Sequence, residues 1–251
     1  MRIILVLQYN GKHFCGWQIQ PNERTVQQTV EDAILTFTGK HRAVTGSGRT
    51  DSGVHALCQV AHFDYDGSIP PEKFAPALNT VLPSDVKVVC SMQAPNDFHA
   101  RFSAKKKTYC YNFYLSETPL PLFEPFAERI DKKVDFEAMQ KACKAIEGTH
   151  DFKCFLASNS SVKDTVRTVY SCKLKRKNNL LTLTVCGNGF LYNMVRTIAG
   201  TVYFAGLGKI NPDKVIDIIN LKQREKVGKT LPAKGLFLQK VEYKGVKLPK
   251  I

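Results

Sequence analysis

Acidic residues are scarce in this sequence, closely spaced cysteines are absent and no apolar run is long; each shortage removes a class of protein. The 251 residues hold 36 Lys and Arg against 22 Asp and Glu, a net charge of +14. Eight cysteines are present, but the nearest two, Cys143 and Cys154, lie eleven residues apart. Without a C-x-x-C, zinc knuckles, zinc ribbons and thioredoxin-type redox sites lose their spacing. The N-terminal apolar run, residues 3–7, is too short for a secretory core and far below the ~20 residues of a membrane span. The thiols are therefore expected to be reduced core residues of a soluble, cytoplasmic protein. Phosphate loops of the form G-x-x-x-x-G-K-S/T, the metalloprotease H-E-x-x-H and the G-x-S-x-G elbow are also missing, and Gly200, Gly206 and Gly208 do not make a dinucleotide fingerprint. His55, His62 and His99 have no metal-ligand spacing.

What is present describes a folded, basic protein. Hydrophobic residues make up 43% and charged residues 23%, the balance of a chain that buries a core. The charge is uneven along the chain: residues 1–104 hold nine basic and nine acidic residues, and residues 105–251 hold 27 and 13. Clustered cations suit a polyanion, because many weak phosphate contacts sum to affinity, and the same lysines also serve solubility. Periodicity predicts strands over 2–9, 54–65, 85–90, 105–115, 166–175, 180–186 and 236–243. It predicts helices from a capping box at Thr25 to Gly39, around 74–78, from Asp135 to Gly148, from Gly189 to Gly206, and from Asn211 through Ile219. Runs of strands with intervening helices argue for an α+β fold in two groupings, 1–104 and 105–251.

One segment carries chemistry. In Thr45-Gly-Ser-Gly-Arg-Thr-Asp-Ser-Gly-Val-His55, small residues flank Arg49, Thr50 and Asp51. An arginine two residues from an aspartate can keep the carboxylate ionised, and an ionised carboxylate serves as nucleophile or base. The same pattern also suits a tight turn in which Asp51 caps backbone N–H groups. Tyr109 sits on an alternating strand with Tyr111, Phe113 and Leu115, as a core aromatic or a base-stacking platform. Arg196 lies beside the apolar stripe of the long helix, where an arginine either snorkels to water or is aimed into a cleft.

Taken in order, these blocks resemble the tRNA pseudouridine synthase A family. The resemblance rests on Gly16-Trp-Gln-Ile-Gln-Pro21, Arg24-Thr-Val-Gln27, Gly46-Ser-Gly-Arg-Thr-Asp-Ser-Gly-Val-His-Ala56, Gln59-Val-Ala-His-Phe-Asp64, Leu82-Pro-Ser-Asp-Val86, Phe98-His-Ala-Arg-Phe-Ser-Ala104, His150-Asp-Phe152, Thr165-Val-Arg-Thr168 and Phe190-Leu-x-x-Met-Val-Arg196. It implies two RRM-like α+β lobes whose antiparallel sheets join into one extended sheet, with a catalytic cleft between them, in a homodimer. The N-terminal lobe, 1–104, would carry the catalytic aspartate loop, and the basic lobe, 105–251, would bind RNA and complete the site.

The implied reaction converts uridine to pseudouridine at positions 38, 39 and/or 40 of the tRNA anticodon stem-loop, with no cofactor and no metal. By motif position Asp51 is the nucleophile, attacking C1′ or uracil C6. Tyr109 stacks on the uracil and assists proton transfer, and Arg196 pairs with Asp51 and helps extrude the base. Arg49, Arg101 and His55 are the further substrate contacts, and Lys105 to Lys107 are expected to meet phosphates. A noncatalytic RNA-binding protein would use the same basic surface, but it would leave Asp51, Tyr109 and Arg196 without a purpose.

Overall fold

A strand whose side chains are apolar at successive positions has no wet face, and residues 3–7 are fully buried within β1, Arg2–Tyr9. In the structure, a computed structural model that describes residues 1–157 and 162–249, the chain divides into two compact units, Met1–Lys107 with Phe237–Ile251, and Thr108–Leu236. The first unit also contains α1 (Val26–Thr38), β2 (Thr45–Gly46), β3 (His55–Asp64), α2 (Phe74–Val81) and β4 (Val86–Ala94). Its sheet runs β4-β1-β3 and closes on β10, Leu236–Tyr243, with β2 beside β3. β1 is antiparallel to both neighbours, placing Leu5 opposite Ala61 and Ser91, whereas β10 lies parallel to β3 through Phe237 opposite His55.

Local chemistry sets the helix ends. The Thr25 side chain accepts from the Gln28 N–H and Gly39, at φ 72°, returns its own N–H to Leu35, so both ends of α1 are capped as the sequence predicts. Pro76 is tolerated in α2 because it sits in the first turn, where its missing N–H would have had no helical partner.

The second unit has a sheet ordered β5-β9-β8-β7, made of β5 (Ala104–Leu115), β9 (Leu180–Gly187), β8 (Val166–Lys177) and β7 (Gly148–Asp151), with β6 (Glu128–Ile130) parallel to β5. The unit boundary falls within β5. Helices α3 (Phe136–Ile146), α4 (Met194–Gly206) and α5 (Val215–Asn220) complete it, and α4 is buried on almost every side. The alternation of β5 predicts one buried face, yet Cys110 and Tyr114 on the opposite face are buried as well. The proline-rich segment 119–125 accounts for Tyr114: Phe123 stacks on its ring at 5.6 Å, and Glu124 accepts a hydrogen bond from its hydroxyl.

The α+β class follows from these elements, with two departures in detail. The pairing is not wholly antiparallel, since β10 and β6 join in parallel. The last strand, placed by chain order in the basic half, packs in the first unit and changes the charge map. The first unit carries sixteen Lys and Arg against ten Asp and Glu, and the second twenty against twelve, so both are cationic. All eight cysteines are free thiols, five of them buried and Cys15, Cys90 and Cys186 partly exposed. Among the described residues no helix is long and apolar enough to cross a membrane.

Candidate active site

The loop that follows β2 is fixed from three sides within the first unit. Gly16, at φ 85°, lies so close to Thr50 that a Cβ there would meet the Thr50 carbonyl oxygen at 2.6 Å. That approach lets the Trp17 N–H donate to the same oxygen at 3.0 Å. On the second side, the Tyr9 hydroxyl and Thr50 Oγ1 share a buried hydrogen bond of 2.8 Å, and burial raises the Tyr9 pKa, so the phenol stays protonated.

The third side is a polar chain. Ser47 Oγ donates to Gln59 Oε1 at 2.6 Å, Gln59 Nε2 donates to the Gly48 carbonyl at 2.9 Å, and Lys107 Nζ donates to the Ser47 carbonyl at 2.6 Å. Burial, with Arg101 nearby, pushes the Lys107 ammonium down to about 8. Asp51 follows this braced stretch half-buried, and its carbonyl accepts from the Val54 N–H at 3.1 Å. A half-buried side chain on a loop held by these hydrogen bonds has little ordering left to do when it meets a bound group.

The other site residues divide between the units. Arg49 is exposed, with Nε donating to Gln18 Oε1 at 3.1 Å, and Arg101 is exposed on the turn before β5. His55, expected among the substrate contacts, is instead 1% exposed. Its Nδ1 accepts from the Gly11 N–H and its ring stacks on Phe237 at 4.6 Å, so it props the Asn10-Gly11 turn and β10. In the second unit, Tyr109 is buried with its ring edge-on to Phe190 at 5.3 Å. Arg196, in the first turn of α4, donates from Nε to the Leu231 carbonyl at 2.7 Å and from Nη1 to Asn193 Oδ1 at 2.7 Å. Among the described residues there is no group of three or more His, Cys, Asp or Glu able to hold a metal ion.

The sequence alone does not mark Lys107 and Gln59 as bracing residues, and it places Lys107 with Lys105 and Lys106 as a phosphate contact. Lys105 and Lys106 are exposed, but Lys107 turns inward. The signal lay in the period-2 register, which puts residue 107 on the same strand face as Tyr109, Tyr111 and Phe113.

His62 brings a pH dependence to the same unit. Burial, reinforced by Arg2 and His99, lowers its pKa from 6.5 to about 4, and its Nδ1 accepts from the Ala100 N–H. The fold therefore holds it neutral while the unfolded chain takes up the proton first as pH falls below 6.5. Its contribution is present above pH 6.5 and is lost between 6.5 and about 4. Urea midpoints of the wild type are expected to fall across that window, and His62→Asn, whose amide oxygen can replace Nδ1, to flatten the fall. Equal slopes for the two proteins would remove His62 as the cause.

Comparison with known proteins supplies the class. The sequence profile of the family described as tRNA pseudouridine synthase matches residues 5–103 and 142–244. The tRNA pseudouridine synthase A of Caldicellulosiruptor bescii is 45% identical over 241 residues, covering 96% of this chain and 99% of its own. That of Acetivibrio thermocellus is 44% identical over 239 residues, covering 95% and 98%. The class is that of the pseudouridine synthases. Within it, the chain belongs to the tRNA pseudouridine synthase family.

In such an enzyme the loop braces are open to a kinetic test. Lys107→Met keeps the apolar stem and removes the donor to Ser47, so the backbone ahead of Asp51 loses one anchor. Turnover is expected to fall about tenfold, in line with small misplacements at a reacting centre, while tRNA affinity stays within about threefold. Lys107→Arg, which restores a donor, should recover part of the loss. Single-turnover rates and filter binding check both, and an unchanged rate for Lys107→Met would separate this lysine from the chemistry.

Proposed function

We propose that the protein isomerises uridine to pseudouridine in the anticodon stem-loop of tRNA, at position 38, 39 and/or 40, with Asp51 as nucleophile on a flipped-out base. The observation that carries this reading is the bracing of residues 47–51: a buried contact from Tyr9, partly buried ones from Gln59 and Lys107, and the Trp17 amide hold the loop, with the aspartate half-buried at its end. The matched relatives are named for tRNA pseudouridine synthesis.

In the proposed reaction the Asp51 carboxylate attacks C1′, or alternatively uracil C6, and the N1–C1′ bond breaks. The uracil turns within the site and C5 bonds to C1′; the bond from the aspartate oxygen to C1′ (or to C6) breaks and frees the carboxylate, the C5 proton leaves to solvent and N1 takes one up. Atoms and charge balance without an outside reactant, so neither metal nor cofactor is required. Motif position assigns Tyr109 the stacking contact with the uracil and a part in proton transfer, and assigns Arg196 the pairing with the carboxylate and the extrusion of the base. Extrusion costs a few kcal/mol, offset by stacking and phosphate contacts. Arg49 and Arg101 are exposed cations, the first proposed near the flipped nucleotide and the second at the RNA backbone. The protein is read as a cytoplasmic homodimer.

The test is release of tritium from tRNA transcripts labelled with [5-³H]uridine, followed by chemical mapping of pseudouridine in the product. Release should require a uridine at 38, 39 or 40 and stop when all three are cytidine. Release that persists in the cytidine transcript would overturn the positional assignment. Absence of release from every tRNA would overturn the enzymatic one.

A further inference from the structure

Phe102 is 74% exposed, more than any other aromatic side chain among the described residues. A single exposed apolar ring is ordinary by itself, but this one stands on a turn whose backbone is held by hydrogen bonds. The His99 N–H donates to Ser103 Oγ at 3.0 Å and the Ser103 N–H to the His99 carbonyl at 2.9 Å, while the Arg101 and Phe102 N–H groups both point at His99 Nδ1 at 3.2 Å. Ala100 is pinned through its N–H to His62 and through its carbonyl to the Tyr243 hydroxyl at 2.7 Å. The rings of His62, His99 and Phe102 follow one another from the interior outward, with centroids 5.0 Å and 4.3 Å apart.

A cation lies against the ring: Arg101 is 5.6 Å from its centroid and exposed, and Lys105 and Lys106, also exposed, follow in the chain. The nearest acid in the segment, Asp97, acts on Arg2. An aromatic face on a hydrogen-bonded turn beside a cation is the composition that stacks on a nucleic-acid base, with little ordering left to do on binding.

We infer that Phe102 is a base-stacking contact for the tRNA substrate, set on a hydrogen-bonded turn with Arg101 beside it for a flanking phosphate. The inference rests on the reading of tRNA as substrate.

The probe is an unmodified tRNA transcript with uridine at 38–40, its affinity measured across a salt series for the wild type, Phe102→Ala, Phe102→Leu, Phe102→Trp and Arg101→Ala. Phe102→Ala should bind about tenfold more weakly with an unchanged salt slope, because stacking releases no counterions, and Arg101→Ala should lower the slope by about one. Phe102→Trp should bind within about twofold of wild type, and Phe102→Leu, apolar but without a π face, should resemble Phe102→Ala. Wild-type affinity for Phe102→Ala or Phe102→Leu would overturn the contact, as would conversion of a dimer to a monomer by Phe102→Ala in sedimentation, since a second copy would then be the occupant. Tritium release by the wild type keeps the two readings apart. Release together with an indifferent Phe102 overturns stacking alone, and affinity that follows the Phe102 series without release overturns only the enzymatic assignment.

Discussion

Asp51→Asn is expected to release tritium at least about 10⁴-fold more slowly than the wild type, the scale on which removal of a nucleophile acts. The amide has the shape of the carboxylate and keeps hydrogen-bonding atoms in place, but it cannot form the covalent bond, to C1′ or to uracil C6, that the proposed reaction requires. The loop has supports apart from the carboxylate. Tyr9 holds the Thr50 hydroxyl, the Trp17 N–H holds the Thr50 carbonyl, and Gln59 and Lys107 hold the carbonyls of Gly48 and Ser47. Stability is therefore expected to stay within about 1 kcal/mol of wild type, as for substitutions that create no cavity and bury no new orphaned polar group. tRNA affinity should change less than about threefold, because phosphate and stacking contacts dominate it. The contrast with Lys107→Met is informative: one removes a bond-forming atom, the other only loosens its support. If Asp51→Asn retained more than a few per cent of wild-type release, another group would have to be the nucleophile.

Most of the fold was legible because its main elements advertise themselves locally. The cap at Thr25, the stop at Gly39, the alternation of β5 and the apolar run of β1 each specify an element without outside help. What could not be read is what tertiary contact decides. β2 is Thr-Gly, β6 is Glu-Arg-Ile and β7 is Gly-Thr-His-Asp; none has strand character alone, and each exists because a longer neighbour offers its edge. The place of β10 beside β3 is a pairing of residues nearly two hundred positions apart, which no window of sequence reports.

The site shows the same division. Arg49-Thr50-Asp51 was visible as a motif, whereas its supports come from residues 9, 17, 59 and 107, joined only by folding. His55 belongs to the motif in sequence and to the core in space, because the strand that follows the loop turns it under β10.

Gly200→Ala should destabilise the protein by about 3 kcal/mol or more, the cost of overpacking a site that cannot relax cheaply, and should lower turnover with it. Helix propensity alone points the other way, since alanine in a helix interior is favoured over glycine by ~1 kcal/mol. At this position a Cβ would stand 1.8 Å from the Lys229 carbonyl oxygen, and on the facing segment a Cβ on Gly228 would stand 2.2 Å from the Gly200 carbonyl carbon. Two backbones touch here, so no side chain can swing aside. The contact is also the base of a ladder along α4: the Gly228 N–H donates to Thr201 Oγ1 at 3.0 Å, Thr197 and Thr230 share a bond of 3.0 Å, and the Leu231 carbonyl receives Arg196 Nε at 2.7 Å. One residue further on, the Pro232 carbonyl accepts from the Tyr111 hydroxyl at 2.8 Å. A methyl group that pushes residues 228–229 away from the helix withdraws the carbonyl that orients Arg196. Thr197→Val is the companion variant: it loses one hydrogen bond but adds no clash, so it should cost about 1 kcal/mol and leave Arg196 in place. Urea midpoints and tritium release for the two variants separate the effects. A Gly200→Ala protein as stable as the wild type would mean that the segment moves freely, and the ladder would then have no part in holding Arg196.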